Sequence, residues 1–199
     1  MSRLTEDLNE PQREAVTHGT GPLLVLAGAG SGKTRVLTYR IAYLLANNRA
    51  RDAEITAVTF TNKAAREMRD RVEALLSSEL VGGFVGTFHR WALDILRRNP
   101  ERAGLPTRFV IADGDEQVQM IKAELKKLGL DPKEHPPRAL LGRISHLVNR
   151  GTSRTAFAAG ATDHRSELLA TIWECYEQRK RAAGAVDFDD MLVLTRDLL

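Results

Sequence analysis

A short apolar run, Leu23-Leu24-Val25-Leu26, leads directly into Ala27-Gly28-Ala29-Gly30-Ser31-Gly32-Lys33-Thr34, and a helical pattern follows. No other feature restricts the fold as much. It predicts a buried strand, a glycine-rich turn and a helix start in immediate succession. Glycines at every second position let backbone N–H groups converge on anionic oxygens. In that reading the loop wraps the phosphates of a nucleoside triphosphate. Lys33 reaches the β- and γ-phosphates, and the Thr34 hydroxyl holds Mg²⁺. The strict P-loop pattern opens with glycine, and here that position is Ala27. Alanine suffices if the backbone needs no positive φ there. The competing reading is a strand-to-helix turn without a ligand, but such a turn has no need of the polar pair Lys33 and Thr34.

The chain has 199 residues, 43% of them hydrophobic and 28% charged, which suits one globular domain or a domain plus an insertion. No apolar run approaches membrane-spanning length. The N-terminus, Met1-Ser2-Arg3-Leu4-Thr5-Glu6-Asp7, lacks the basic-then-apolar layout of a signal peptide. The single cysteine, Cys175, excludes an internal disulfide. With Trp173 and Tyr176 beside it, a buried helical thiol in a reducing cytoplasm is expected. Net charge is +3 and the pI about 9.2, a weak argument for a polyanionic partner. Basic residues cluster at Lys63, Arg66, Arg69 and Arg71, at Arg90, Arg97 and Arg98, and at Arg179, Lys180 and Arg181. Solvated helix faces explain any single cluster equally well.

Periodicity predicts a short helix over residues 9–17, with Pro11 in its first turn, a strand at 23–26 and a helix over 33–46. A second strand follows at 55–60, then an amphipathic helix over 62–76 with a buried stripe of Ala64, Met68, Val72, Leu75 and Leu76. A third strand at 84–87 and a helix over 89–98 complete an alternation that implies a parallel sheet with helical crossovers. Beyond Asn99 the texture turns helical, with no strand expected after Ile111. Val118, Ile121, Leu125 and Leu128 mark one helix, residues 139–149 another, and Leu168, Leu169, Ile172, Trp173 and Tyr176 a longer one. Residues 151–160 read as a small-residue connector. Trp91 and Trp173 are expected in the core.

A triphosphatase also needs an acid at Mg²⁺, usually beside the P-loop on a neighbouring strand. Phe109-Val110-Ile111-Ala112-Asp113 is the local candidate, yet Asp113 and Glu116 have capping-box spacing, and the cap is the preferred reading. Asp187 and Asp190 are also spaced as an N-cap and its third helical residue, and no strand of four apolar residues precedes them, so they are poor Mg²⁺ ligands.

The order of segments resembles the N-terminal part of the UvrD/PcrA/Rep-type superfamily 1 DNA helicases. Leu8-Asn9-Glu10-Pro11-Gln12 resembles the family's Q motif, and the P-loop matches, including its opening Ala27. Thr59-Phe60-Thr61-Asn62-Lys63-Ala64-Ala65 and Gly86-Thr87-Phe88-His89 resemble motifs that contact single-stranded DNA. Val186-Asp187-Phe188-Asp189-Asp190-Met191 resembles the segment where the chain re-enters the motor domain. The resemblance spans essentially the whole chain. It implies an α/β fold, a partial RecA-like P-loop domain with a parallel sheet and an all-helical inserted subdomain. The implied division is 1–98 motor domain, 99–183 helical insertion and 184–199 re-entry.

Roles carried over by the resemblance are as follows. Gln12 reads the adenine edge, which suits an amide that both donates and accepts. Arg35 touches the nucleotide or is a plain helix arginine. Phe60 stacks on a base or packs in the core. Asn62 caps the following helix and donates to a phosphate. Thr61, Lys63, Thr87 and His89 join the DNA contacts, with a core histidine as the other reading of His89. The implied cofactors are ATP and Mg²⁺, and the implied partner is single-stranded or partly duplex DNA, with no membrane. In the family the Asp-Glu pair that completes the Mg²⁺ site lies beyond the Asp-Phe-Asp-Asp segment, so the chain is expected to be an N-terminal portion that does not unwind DNA alone. A small phosphotransferase using Asp113, and a non-enzymatic DNA- or protein-binding remnant, are the other classes left open.

Overall fold

The computed structural model describes residues 3–199. Two compact units divide the chain, Met1–Trp91 and Ala92–Leu199. Both combine helices with short parallel strands, as the α/β reading requires.

In the first unit, α1 (Glu10–Thr17) opens with a reciprocal capping box: Gln12 N–H donates to Asn9 Oδ1 at 3.0 Å and Asn9 N–H to Gln12 Oε1 at 3.3 Å. Two orphan amides of the helix start are thereby satisfied. Helix α2 (Lys33–Ala46) follows the glycine loop. Then come β1 (Thr56–Thr59), α3 (Asn62–Leu76) and β2 (Phe84–Thr87). Strands β1 and β2 pair in parallel, Thr56 with Phe84 through Thr59 with Thr87. Parallel neighbours need a long crossover, and α3 supplies it. Ile41, Ile55, Ala57, Met68 and Val72 form the main core of this unit. A second cluster joins Leu8, Ala15 and Val16 to Val36 of α2. Arg40 of α2 reaches the open carbonyls at the end of α1, donating to Ala15, Val16 and His18 at 3.1, 3.3 and 2.9 Å.

Helix α4 (Phe88–Arg98) carries the chain into the second unit. There β3 (Val110–Ile111) precedes α5 (Gly114–Lys127), α6 (Pro137–Asn149), α7 (Arg154–Ala159) and α8 (His164–Ala182). Then β4 (Ala185–Val186) pairs in parallel with β3, and α9 (Phe188–Leu198) ends the chain. Ile121, Leu125, Leu140, Ile144, Leu169, Ile172, Trp173 and Tyr176 make a core from α5, α6 and α8. Ala92, Leu96, Val186 and Met191 make another.

Six local expectations are corrected. Residues 23–26 form no strand: they carry no ladder partner among the described residues, and Leu24 and Leu26 are 81% and 85% exposed. Apolarity predicts burial, but a strand exists only where another strand satisfies its N–H and C=O groups. A strand does follow Ile111, because β4 brings Ala185 and Val186 back onto β3; two residues leave no periodicity to read. The small-residue connector contains α7, whose first turn is capped by Ser153. In α3 the buried stripe is Ala65, Met68 and Val72, with Ala64, Leu75 and Leu76 at its margins. Cys175 lies on α8 but is half-buried rather than buried. Trp91 is likewise half-buried, whereas Trp173 is fully inside.

Candidate functional site

The glycine loop takes the backbone its composition permits. Gly30 and Gly32 sit at φ +77° and +86°, in the left-handed region that a side chain resists. Ala27 is not among the residues with positive φ, so alanine replaces the pattern's first glycine without strain. Gly32 is the N-cap of α2 and offers no capping side chain, which leaves the first amides of the helix open toward the loop. Ser31 Oγ donates to Gly28 O at 2.7 Å. Lys33 Nζ donates to Ala27 O at 2.9 Å and Gly28 O at 2.6 Å. The ammonium thus lies over the loop on an exposed side chain, held by neutral carbonyls. A cation, open helix amides and a left-handed glycine backbone together suit a polyphosphate.

Gln12 belongs to this site through its other amide end. While Oε1 serves the capping box, Nε2 donates to Ser31 O at 3.2 Å. A Cβ on Gly32 would lie 3.0 Å from that Nε2, so the glycine also admits the glutamine. Thr34 is exposed in the first turn of α2. Arg35 is engaged elsewhere: its guanidinium donates to Asp7 O at 3.0 Å and lies 5.2 Å from the Tyr39 ring centre.

The carboxyl ends of β1 and β2 form a second cluster. Since Thr59 faces Thr87 in the ladder, Phe60 and Phe88 emerge side by side. Their ring centres are 5.6 Å apart, tilted at 45°. Phe60 is 91% exposed, which rejects the core reading, and Phe88 is 39% exposed. Asn62, Lys63 and His89 are exposed around them. Thr61, not Asn62, caps α3, with Ala64 N–H donating to its Oγ1 at 3.1 Å. Hydroxyl capping frees the Asn62 side chain from that task, the reverse of the sequence assignment. Thr87 Oγ1 accepts from Arg90 N–H at 3.2 Å. Phe88 stands inside a motif quoted from the sequence, yet the sequence reading gives it no role. The signal was the parallel register, which cannot be read before the strands are paired.

Acids considered for Mg²⁺ are committed to helix starts. Asp113 Oδ1 accepts the Asp115 and Glu116 amides, both at 2.9 Å, and Glu116 returns the bond to Asp113 N–H. Asp187 and Asp190 cap α9 reciprocally at 2.8 and 3.0 Å. They also share Lys180, whose Nζ is 2.6 Å from an oxygen of each, and the Tyr176 hydroxyl donates to Asp187 at 2.8 Å. Lys180 and Asp187 are both buried. Burial alone would lower the Lys180 ammonium, but the two carboxylates outweigh it and raise its pKa. Burial opposes the Asp187 charge too, yet Lys180 and the Asp190 amide hold that carboxyl below the usual aspartate range. Asp190 moves upward, because burial and repulsion from Asp187 exceed the pull of Lys180. Burial and the Asp187 carboxylate push the Tyr176 hydroxyl up. This is a structural junction: a metal there would have to displace a buried ammonium.

No helix among the described residues is long and apolar enough to cross a membrane. The family model for the UvrD/REP helicase N-terminal domain matches residues 8–199. The ATP-dependent DNA helicase PcrA of Staphylococcus aureus (strain COL) is 42% identical over 198 residues. The enzyme of the same name from Staphylococcus epidermidis (strain ATCC 12228 / FDA PCI 1200) is also 42% identical over 198 residues. Each match covers the whole of this chain and 27% of the relative.

Proposed function

This chain belongs to the UvrD/REP helicase N-terminal domain family, and from that premise we propose that it supplies the ATP-binding portion of a motor that moves on single-stranded DNA. In the complete protein that motor would hydrolyse ATP and unwind duplexes with 3′ to 5′ polarity, in replication and repair in the cytoplasm. The observation that carries the reading is the exposed Lys33 ammonium lying across a left-handed glycine loop at an open helix start.

In this reading each residue has a part. Backbone amides of Ala27, Gly28, Ala29, Gly30, Ser31 and Gly32 cradle phosphate oxygens. Lys33 exchanges two loop carbonyls for phosphate oxygens, a change from neutral to charge-assisted hydrogen bonds. Thr34 presents its hydroxyl from the first helical turn to Mg²⁺, which when bound neutralises charge on the terminal phosphates. Gln12 turns its amide to the adenine edge, and Arg35 stays beside it on α2. Phe60 and Phe88 offer stacking faces to bases. Thr61, Asn62, Lys63, Thr87 and His89 contact the strand around them.

Isothermal calorimetry tests the site. Mg²⁺-ATP should bind the wild-type chain, and Lys33→Ala should abolish binding by removing the phosphate-pairing charge. Equal binding by both would remove the P-loop assignment. A phosphotransferase using Asp113 has less support, since its Oδ1 already accepts the Asp115 and Glu116 amides at the start of α5.

A further inference from the structure

A cavity of about 350 Å³ opens in the second unit, away from the strands. Its floor is leucine: Leu140 and Leu169, which belong to the core, with Leu130 and Leu168 beside them. Its walls come from the α5–α6 connection and from the first turns of α6 and α8. Arg143, Arg165, His135 and His164 stand around the mouth, and Glu134 is the acid among the lining residues. Both arginines are exposed. Asp163, the cap of α8, is held low chiefly by its Ser166 hydrogen bonds and in smaller part by the charge of Arg143. The helix start of α6 lies at the same mouth, with Pro136 as an N-cap that makes no side-chain bond.

We propose that this cavity docks a segment of a partner protein that inserts one aliphatic or aromatic side chain between flanking carboxylates. Its volume suits one or two such side chains and falls at the small end of ligand pockets. An apolar floor inside an arginine rim is the pattern of an anchor site, in which a buried side chain supplies affinity and rim charge selects the partner. Charge complementarity decides the occupant: the two guanidiniums, Arg143 and Arg165, outnumber the one carboxylate in the lining, Glu134. Nucleic acid fits less well. Phosphates gain nothing from leucine, and among the described lining residues no Phe, Tyr or Trp offers a base a stacking face.

The test begins by panning a random dodecapeptide display library on the immobilised full chain. Selected peptides are then synthesised with a fluorophore and titrated by anisotropy. Three proteins are compared: wild type, Ala139→Trp, and the double variant Arg143→Glu, Arg165→Glu. Ala139 lines the cavity but is exposed, so tryptophan there fills the space without removing core packing. Circular dichroism melts confirm that each variant is folded. The expected peptides combine an aromatic or aliphatic residue with Asp or Glu, and each variant weakens them by about tenfold or more. Selection without that composition, or equal binding to all three proteins, overturns the proposal. So does a short DNA duplex that binds the wild type and is excluded by Ala139→Trp, which would make the cavity a nucleic-acid site.

Discussion

Single side chains in this protein are constrained by register more than by their immediate neighbours in sequence. Phe60 and Phe88 are 28 positions apart, yet the Thr59–Thr87 pair places their rings 5.6 Å from each other. If the pair is a stacking platform, Phe60→Ala should weaken binding to oligo-dT by about 1–3 kcal/mol. Phe88→Ala should act in the same direction, with little change in the melting temperature, because neither ring is buried. Fluorescence titration measures it, and unaltered affinity in both variants would remove the platform. At Lys180 the expectation is the opposite, a stability effect. Lys180→Met leaves the buried Asp187 and half-buried Asp190 carboxylates without their shared ammonium and should destabilise the fold by about 3–5 kcal/mol at neutral pH. The pH dependence has a definite sign. The Lys180 pKa is raised, so its contribution is present at neutral pH and fades only as pH rises through the shifted value. In the variant the repulsion is relieved as the carboxylates take up protons. The gap between wild type and variant in urea midpoints should therefore narrow on acidification; a gap that stays constant from neutral to acid pH would contradict the charge argument.

At the scale of elements, helices were legible where two signals coincided. The boundaries of α2 and α3 follow from an apolar stripe closed off by glycine or threonine, and α5 and α9 were marked by capping-box spacing. Strands were legible only in part. Residues 55–60 and 84–87 had enough β-branched or aromatic content to stand out, whereas the two-residue β4 owes its existence to β3, about 75 positions earlier by the sequence pairing rule that a strand needs a partner. Within the candidate site, the P-loop was readable because its chemistry is local. Arg40, which closes the end of α1, was not, since a polar residue on a helix gives no hint of which carbonyls it meets. The run at residues 23–26 shows the limit from the other side: strongly strand-like, yet unpaired and largely exposed. Its amides should exchange with deuterium far faster than those of residues 168–176 in α8, which lie in the helical core. Equal protection of the two segments in a verified monomer would show that residues 23–26 hold a partner this structure does not give them.

For the molecule as a whole, we expect recognition and turnover to separate. The chain spans 27% of the length of the curated relatives it matches, and its loop has the parts needed to hold a nucleotide. The acids considered for a metal or water are otherwise occupied: Asp113 caps α5, and Asp187 and Asp190 share Lys180. We therefore expect nucleotide binding without DNA-stimulated hydrolysis from this chain alone. A trans-acting arginine in such motors contributes on the order of 10³–10⁵ in rate, a further term that nothing in the P-loop replaces. A phosphate-release assay with and without oligo-dT decides the matter. Robust stimulated turnover that disappears in Asp113→Asn would show that the active centre is self-contained and would reinstate the phosphotransferase reading.

One glutamine connects these levels. The carbonyl end of Gln12 closes a helix, and its amino end ties that helix to Ser31 of the glycine loop. Replacement by alanine severs both ties at once, so a defect of local folding would pass for a defect of base discrimination. Glutamate keeps the acceptor that the helix requires, but it replaces the donor with a negative charge facing the Ser31 carbonyl. The choice between those two alleles determines whether genetics at this position reports on architecture or on chemistry.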